Sequence, residues 1–140
     1  MKLTTKGRYA VMAMADLANN ENLKPISLNE IAVRQNISLS YLEQLFLKLK
    51  NNCLVKSVRG PQGGYTLEKK AKDIKLSSII FAVDEEIKTL NCKKDSKKGC
   101  GGRMVKCITH NLWDDLEKHI NSFFENKNLQ DLVSKQENIL

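Results

Sequence analysis

No apolar stretch of this chain approaches the length of a membrane span, and Met1-Lys2-Leu3 runs straight into an amphipathic segment without a secretory hydrophobic region. These absences set the expectation of a cytoplasmic protein with no membrane partner. Cysteine and histidine are scarce, at four and two residues, and no Cys-x-x-Cys pair occurs. Nor is there a group of acids and bases of the kind that catalysis needs, so a small redox enzyme or electron carrier has little to rest on. No internal repeat is present. In a reducing compartment, a few cysteines close together point to metal binding or redox sensing rather than a disulfide framework.

What is present is 140 residues, 41% of them hydrophobic, enough for one domain with a real core. The net charge of +7 is unevenly placed. Residues 1–75 hold thirteen Lys and Arg against six Asp and Glu, whereas residues 76–140 hold ten of each. A basic first half points to nucleic acid or an acidic surface as partner, and a neutral second half suits sensing or assembly.

Apolar residues at Tyr9, Val11, Met12, Ala15, Leu17 and Ala18 predict a first helix over 5–19. Pro25 marks a turn, and Ser27-Leu28-Asn29-Glu30 is a capping-box pattern that opens a second helix over about 28–35. After the break at Asn36-Ile37-Ser38, a third helix runs from Leu39 to Asn51, with Leu42, Leu45, Phe46 and Leu49 at helical spacing. Two such helices joined by a short turn after a supporting helix form the helix-turn-helix pattern, whose second member enters the major groove. A generic three-helix bundle is the alternative. Two short strands, Leu54–Val58 and Tyr65–Leu67, argue against it, because they flank Arg59-Gly60-Pro61-Gln62-Gly63-Gly64 as a hairpin wing. The fold class expected is therefore mainly α: a winged helix-turn-helix with a small β-hairpin.

Beyond a linker at 68–75 come a short helix from Leu76 to Val83, the acidic Asp84-Glu85-Glu86, and a loop rich in Gly and Lys. Within it and just after it, Cys92, Cys100, Cys107 and His110 fall inside nineteen residues, separated by seven, six and two. Four soft or borderline donors so close together form a ligand set for a metal centre. The spacing is wider than the short knuckle usual for zinc, although a zinc site with one His ligand stays open, and an iron-sulfur cluster tolerates longer loops. A basic loop with incidental thiols is the plain alternative. His110 begins a helix over 109–126 whose apolar stripe is Leu112, Trp113, Leu116, Ile120, Phe123 and Phe124, with Asp114, Asp115 and Glu117 away from it. That stripe needs a cover, and a dimer partner is favoured over the chain's own domain. His119, about 900° of helical rotation beyond His110, lies on the opposite face and is expected in solvent. Cys53 is expected to fill space as a small buried residue. A last short helix and a tail complete the chain.

Ser40, Tyr41 and Gln44 lie near the N-terminal end of the third helix, where side chains meet base edges and phosphates, and Gln44 has the donors and acceptors for adenine. Glu43 has three readings: accepting from a cytosine amino group, repelling phosphates, or completing a capping box with Ser40. Arg59 can project from the wing into a narrow minor groove. Lys6, Arg8, Lys48 and Lys56 are candidate phosphate anchors, each with the alternative of an ordinary solvated cation.

LTTKGRYAV at the start, ISLSYLEQLF on the third helix, VRGPQGGY in the wing, AVDE after it, and C-x₇-C-x₆-C-x₂-H followed by NLW resemble a family along nearly the whole chain. It is the family of winged-helix bacterial regulators that includes IscR, NsrR and CymR, and the three-cysteine, one-histidine group looks most like the IscR type. The resemblance implies a transcription regulator that binds palindromic operator DNA as a homodimer. It also implies a 2Fe-2S cluster held by Cys92, Cys100, Cys107 and His110, with control of iron-sulfur cluster assembly genes. Residues 1–75 would then be the DNA-binding region, and residues 76–140 would carry the cluster loop (92–110) and the dimerisation helix. A winged-helix repressor with a structural zinc site, or with no metal, is the alternative.

Overall fold

A computed structural model of the chain describes residues 5–20, 24–83 and 108–137. Six helices and one hairpin follow in the order α1 (Thr5–Asn20), α2 (Leu28–Gln35), α3 (Leu39–Asn51), β1 (Val55–Val58), β2 (Gly64–Leu67), α4 (Leu76–Ala82), α5 (His110–Glu125) and α6 (Leu129–Glu137). The mainly α, winged helix-turn-helix architecture expected from the apolar periodicity is what forms.

Helix α1 is the supporting helix. Its buried face carries Gly7, Ala10, Ala13, Met14 and Leu17, so small residues let α2, α3 and α4 approach closely, while Met12 is turned to solvent. The same face also buries a charge: Asp16 is 6% exposed. Arg34 near the end of α2 grips it in a fork, with Nε 3.0 Å from Oδ2 and a terminal nitrogen 2.7 Å from Oδ1, and Gln35 Nε2 donates to Oδ2 at 2.9 Å. This bidentate contact pins α1 to α2 and holds the Arg34 guanidinium pKa above its ordinary value, chiefly through the hydrogen bond to Asp16.

Helix α2 begins as the capping box requires. Ser27 Oγ accepts from the Glu30 N–H at 3.2 Å, and the Ser27 N–H donates to Glu30 Oε2 at 3.1 Å. That second bond is the main cause holding the Glu30 carboxyl below its usual range. Asn36, in the left-handed conformation at φ 53°, ends the helix; asparagine tolerates this better than most side chains. Ile37 then drops into the core, and Ser38, not Ser40, caps α3, its Oγ accepting from the Tyr41 N–H at 3.4 Å.

The wing is a two-stranded antiparallel hairpin registered from Val55 opposite Leu67 to Val58 opposite Gly64. A third segment joins it. Ile26 and Tyr65 exchange both backbone hydrogen bonds, at 3.0 and 2.7 Å, tying the entrance of α2 to the wing. Gly64 is required by that approach, because a Cβ there would run into the Ile26 carbonyl and the Ser27 nitrogen. Phe46 of α3 meets the Tyr65 ring edge-on at 5.0 Å, fixing the wing against α3.

Two expectations need correction. Cys53 is exposed, not buried: it stands in the left-handed conformation at φ 60° where the chain leaves α3, and the turn delivers Leu54 rather than Cys53 to the core. The stretch at 68–75 is not a free linker. It makes a short 3₁₀ turn at Ala71–Asp73, and Ile74 is fully buried, its carbonyl accepting from Leu129 N at 2.9 Å. Leu76 N returns a bond to Lys127 O at 2.9 Å. Asn128 and Asp131 cap each other reciprocally at 3.0 Å, which starts α6 at the point where Leu129 enters the core. One continuous core thus takes side chains from α1, α2, α3, the wing, α4 and Leu129.

Candidate nucleic-acid interface

Burial of Leu42, Leu45, Phe46 and Leu49 rotates α3 so that Ser40, Glu43 and Gln44 project into solvent on its other side. Tyr41 sits at the edge of that face, half-buried, its ring edge-on to Tyr9 at 5.9 Å. The contact sets the first turns of α1, with exposed Lys6 and Arg8, beside the first turn of α3. Arg59 is exposed where β1 gives way to the wing loop, and Gly60, Pro61 and Gln62 follow it. A Cβ at Gly63 would strike the Val58 carbonyl, so the loop can fold back tightly only with glycine there. Lys56 is exposed on β1, and Lys48 is half-buried on α3.

This geometry settles one of the rival readings of Glu43. With Ser38 at the cap, Ser40 is the second residue of the helix, so a capping box between Ser40 and Glu43 does not form. Glu43 is left as a solvent-facing carboxylate on the same face as Gln44 and Ser40. Leu47 falls outside the apolar periodicity of α3. It lies seven residues beyond Ser40 and is 59% exposed, an apolar side chain on the polar side of α3.

The ligand set is divided. Cys92, Cys100 and Cys107 lie outside the described residues, as does the acidic tract at 84–86. His110 is the first residue of α5 and is half-buried, and Thr109 before it makes no side-chain cap. Thr109 Oγ1 instead accepts from Trp113 Nε1 at 3.1 Å. Among the described residues no group of three or more His, Cys, Asp or Glu comes together, His110 being the one member of the set within them. His119 is exposed on the far side of the helix, as its spacing implied.

Helix α5 carries its apolar stripe outward. Leu112 and Phe123 are 59% and 56% exposed, and Trp113 and Leu116 are each 39% exposed. Phe124 alone of the stripe packs against the core. Glu117, assigned to the solvent side by its charge, is buried at 4%. The polar side is reinforced by Lys118 and Asp114, one turn apart at 3.0 Å, and this carboxylate raises the Lys118 pKa.

Comparison with known proteins agrees with this arrangement. Residues 3–135 match the family described as Rrf2, iron-dependent transcriptional regulator. The HTH-type transcriptional regulator IscR of Klebsiella pneumoniae (strain 342) is 51% identical over 137 residues, which span 98% of this chain and 82% of that protein. IscR of Escherichia coli (strain K12 / DH10B) is likewise 51% identical, over 98% of this chain and 83% of its own length. Among solved structures, T. potens IscR superposes with a TM-score of 0.80 at 37% identity, covering 99% of this chain and 90% of that one. CymR, the global cysteine regulator of B. subtilis, also gives a TM-score of 0.80, at 32% identity over 96% and 98% of the two chains.

Proposed function

Since the chain belongs to the Rrf2 family and is an IscR-type transcriptional regulator rather than an enzyme, we propose that it reads a palindromic operator as a homodimer and that a 2Fe-2S cluster sets its activity. The observation that carries DNA reading is the common exposure of Ser40, Glu43 and Gln44 on α3, with Arg59 on the wing. In this reading α3 enters the major groove, Gln44 and Glu43 address base edges, and Ser40 and Tyr41 reach bases or phosphates near the helix start. Arg59 reaches the adjoining minor groove, and Lys6 and Arg8 hold the backbone from the start of α1.

The exposed stripe of α5 supports the homodimer in this reading. A helix that exposes Leu112, Trp113, Leu116 and Phe123 along one stripe leaves a surface whose burial is favourable, and a second copy supplies the same stripe. Two α3 helices related by a two-fold axis then require a palindromic site.

Cys92, Cys100, Cys107 and His110 would hold the cluster. Their chemistry suits it: three thiols, one imidazole, and Lys93, Lys94, Lys97, Lys98, Arg103 and Lys106 around them to offset thiolate charge. When bound, such a cluster supplies a centre whose presence and oxidation state report iron-sulfur supply. His110 links that loop to the first turn of α5. Holding His110 fixes the start of the helix that positions the second copy, and so the separation of the two α3 helices. We assign the controlled genes to iron-sulfur cluster assembly and the place of action to the cytoplasm. Among the described residues no helix is long and apolar enough to cross a membrane. A structural zinc site in the same residues is the competing reading.

Anaerobic purification with iron and sulfide analysis, followed by selection of bound duplexes from a random pool by holo and apo protein, tests the proposal. Visible absorbance with both elements present is the expected result, because zinc is silent there. Affinity should fall with a log-log salt slope of about -5 if about six phosphates are neutralised by the dimer. A colourless protein, or binding indifferent to salt, would overturn the corresponding half.

A further inference from the structure

Leu47 is an apolar residue of α3 that stands apart from its buried side. The buried side of α3 is Leu42, Leu45, Phe46 and Leu49, and at about 100° per residue Leu47 points about 150° away from its middle. The same rotation puts Leu47 within about 20° of Ser40, at the centre of the face that also carries Glu43, Gln44 and Asn51. It is 59% exposed there, surrounded in sequence by polar and charged positions on that side.

A single exposed leucine is ordinary on a protein surface, but its register is informative here. Ser40, Glu43, Gln44 and Leu47 are spaced i, i+3, i+4, i+7, the spacing with which a helix lying in the major groove presents side chains to successive base edges, as in the homeodomain. From Ser40 to Leu47 the helix rises about 10 Å, the height of about three base pairs. Leucine offers neither donor nor acceptor, so against a guanine, cytosine or adenine edge it would strip polar atoms of water without replacing their hydrogen bonds. The one major-groove feature it complements is the 5-methyl group of thymine.

We propose that Leu47 is a specificity-determining residue that packs on a thymine methyl about three base pairs from the base facing Ser40. This rests on the reading that α3 enters the major groove. It adds an apolar element to an interface otherwise built from hydrogen-bonding side chains, and it predicts a thymine at a defined place in each half-site.

Removing the methyl alone tests it. Full-length protein first enriches duplexes from a random pool; each thymine of the enriched half-site is then replaced in turn by deoxyuracil, which keeps every hydrogen-bonding atom. At one thymine the wild type should lose about fourfold per half-site, and about fifteenfold when both halves of the palindrome are changed, the effect of exposing about one methyl group in each half-site. Leu47→Ser should bind the thymine and uracil duplexes equally, and Leu47→Met, which keeps an apolar side chain, should retain most of the discrimination. Cooperative thermal unfolding close to wild type is expected of both variants, since the side chain is 59% exposed and outside the buried cluster. The assignment is overturned if no thymine shows the loss, or if Leu47→Ser loses as much as wild type at the same thymine. Failure to enrich any sequence would instead overturn the DNA-binding reading on which it stands.

Discussion

Helices α3 and α5 are both amphipathic, yet they turn their apolar faces in opposite directions. Leu42, Leu45, Phe46 and Leu49 of α3 are all buried, and its polar side faces solvent. In α5 it is Leu112, Trp113, Leu116 and Phe123 that face solvent, while a glutamate, Glu117, is buried. The hydrophobic effect rewards covering an apolar stripe but does not specify by what. For α3 the cover is the chain itself, and this aims its other face outward. For α5 the described residues cover the flank at Phe124 and Glu117 and half-bury Ile120, while Leu112, Trp113, Leu116 and Phe123 face solvent.

The largest effect that bears on this contrast concerns the anchoring of α5. Replacing Cys92, Cys100 or Cys107 by Ala should abolish visible absorbance and iron binding in anaerobically purified protein, since one missing thiolate leaves an iron under-coordinated. Circular dichroism should be unchanged and Cys53→Ser should keep its full spectrum. Any one of the three Ala variants that retained the colour of wild type would be removed from the ligand set.

Next comes the stripe itself. Leu116→Asp should remain folded but sediment as a monomer, losing at least about 100-fold in affinity for a two-half-site duplex through lost bivalency. Leu49→Asp, the same change on the buried face of α3, should fail to fold because it buries an unpaired charge. If Leu116→Asp sediments as a folded dimer, the contrast between the helices does not mark an interface.

Smaller effects separate the frame of α3 from that of α5. Arg34→Ala leaves the buried Asp16 carboxylate without its fork and should cost about 2 kcal/mol, discounted from a fully buried pair because the Arg34 side chain is 40% exposed. The urea midpoint should fall with the m-value unchanged, and dimer dissociation in native buffer should not move. Arg34→Lys should recover part of the loss, because lysine lacks the planar fork.

Smallest is the cap of α2. Ser27→Ala should cost about 1 kcal/mol in thermal or urea unfolding. Glu30 adds a pH dependence whose sign follows from its lowered folded-state pKa. Its contribution is present above the ordinary value of 4.5 and is lost as the pH falls through the folded value below it. Glu30→Gln should therefore lose that contribution at neutral pH, converge on wild type once the pH falls below the folded value, and flatten the acid limb of the stability profile. A variant as stable as wild type at neutral pH, with the same acid slope, would show that the charge on Glu30 adds nothing to the capping box.

Local signals in the chain were legible to different depths. The bounds of α2 and α3, the Ser27–Glu30 box and the start of α5 at His110 follow from neighbours three or four residues apart, whose interactions form in the helix itself. Asp16 and Arg34 are eighteen residues apart, and nothing in their spacing distinguishes a buried fork from two solvated charges. Ser38 and Ser40 are both capping residues by type, and the Tyr41 N–H chose the first because Asn36 ends α2 where it does. Cys53 reads as a small core residue until the left-handed turn places it outside. Leu47 escapes periodicity, which counts matches to the buried face and is silent on an apolar residue opposite it.

By itself the sequence determined which segments are helices, where the hairpin turns, that the net positive charge lies in the first half, and which thiols and imidazole stand close along the chain. These are properties of short separations, decided by backbone geometry and side-chain spacing. Only the tertiary structure decided which face of each helix is covered, that Ile26 joins the wing, and that Leu129 returns to the core beside Ile74. Those contacts depend on which distant surfaces exclude water together, and exclusion of water is non-directional, so no local pattern encodes its partner.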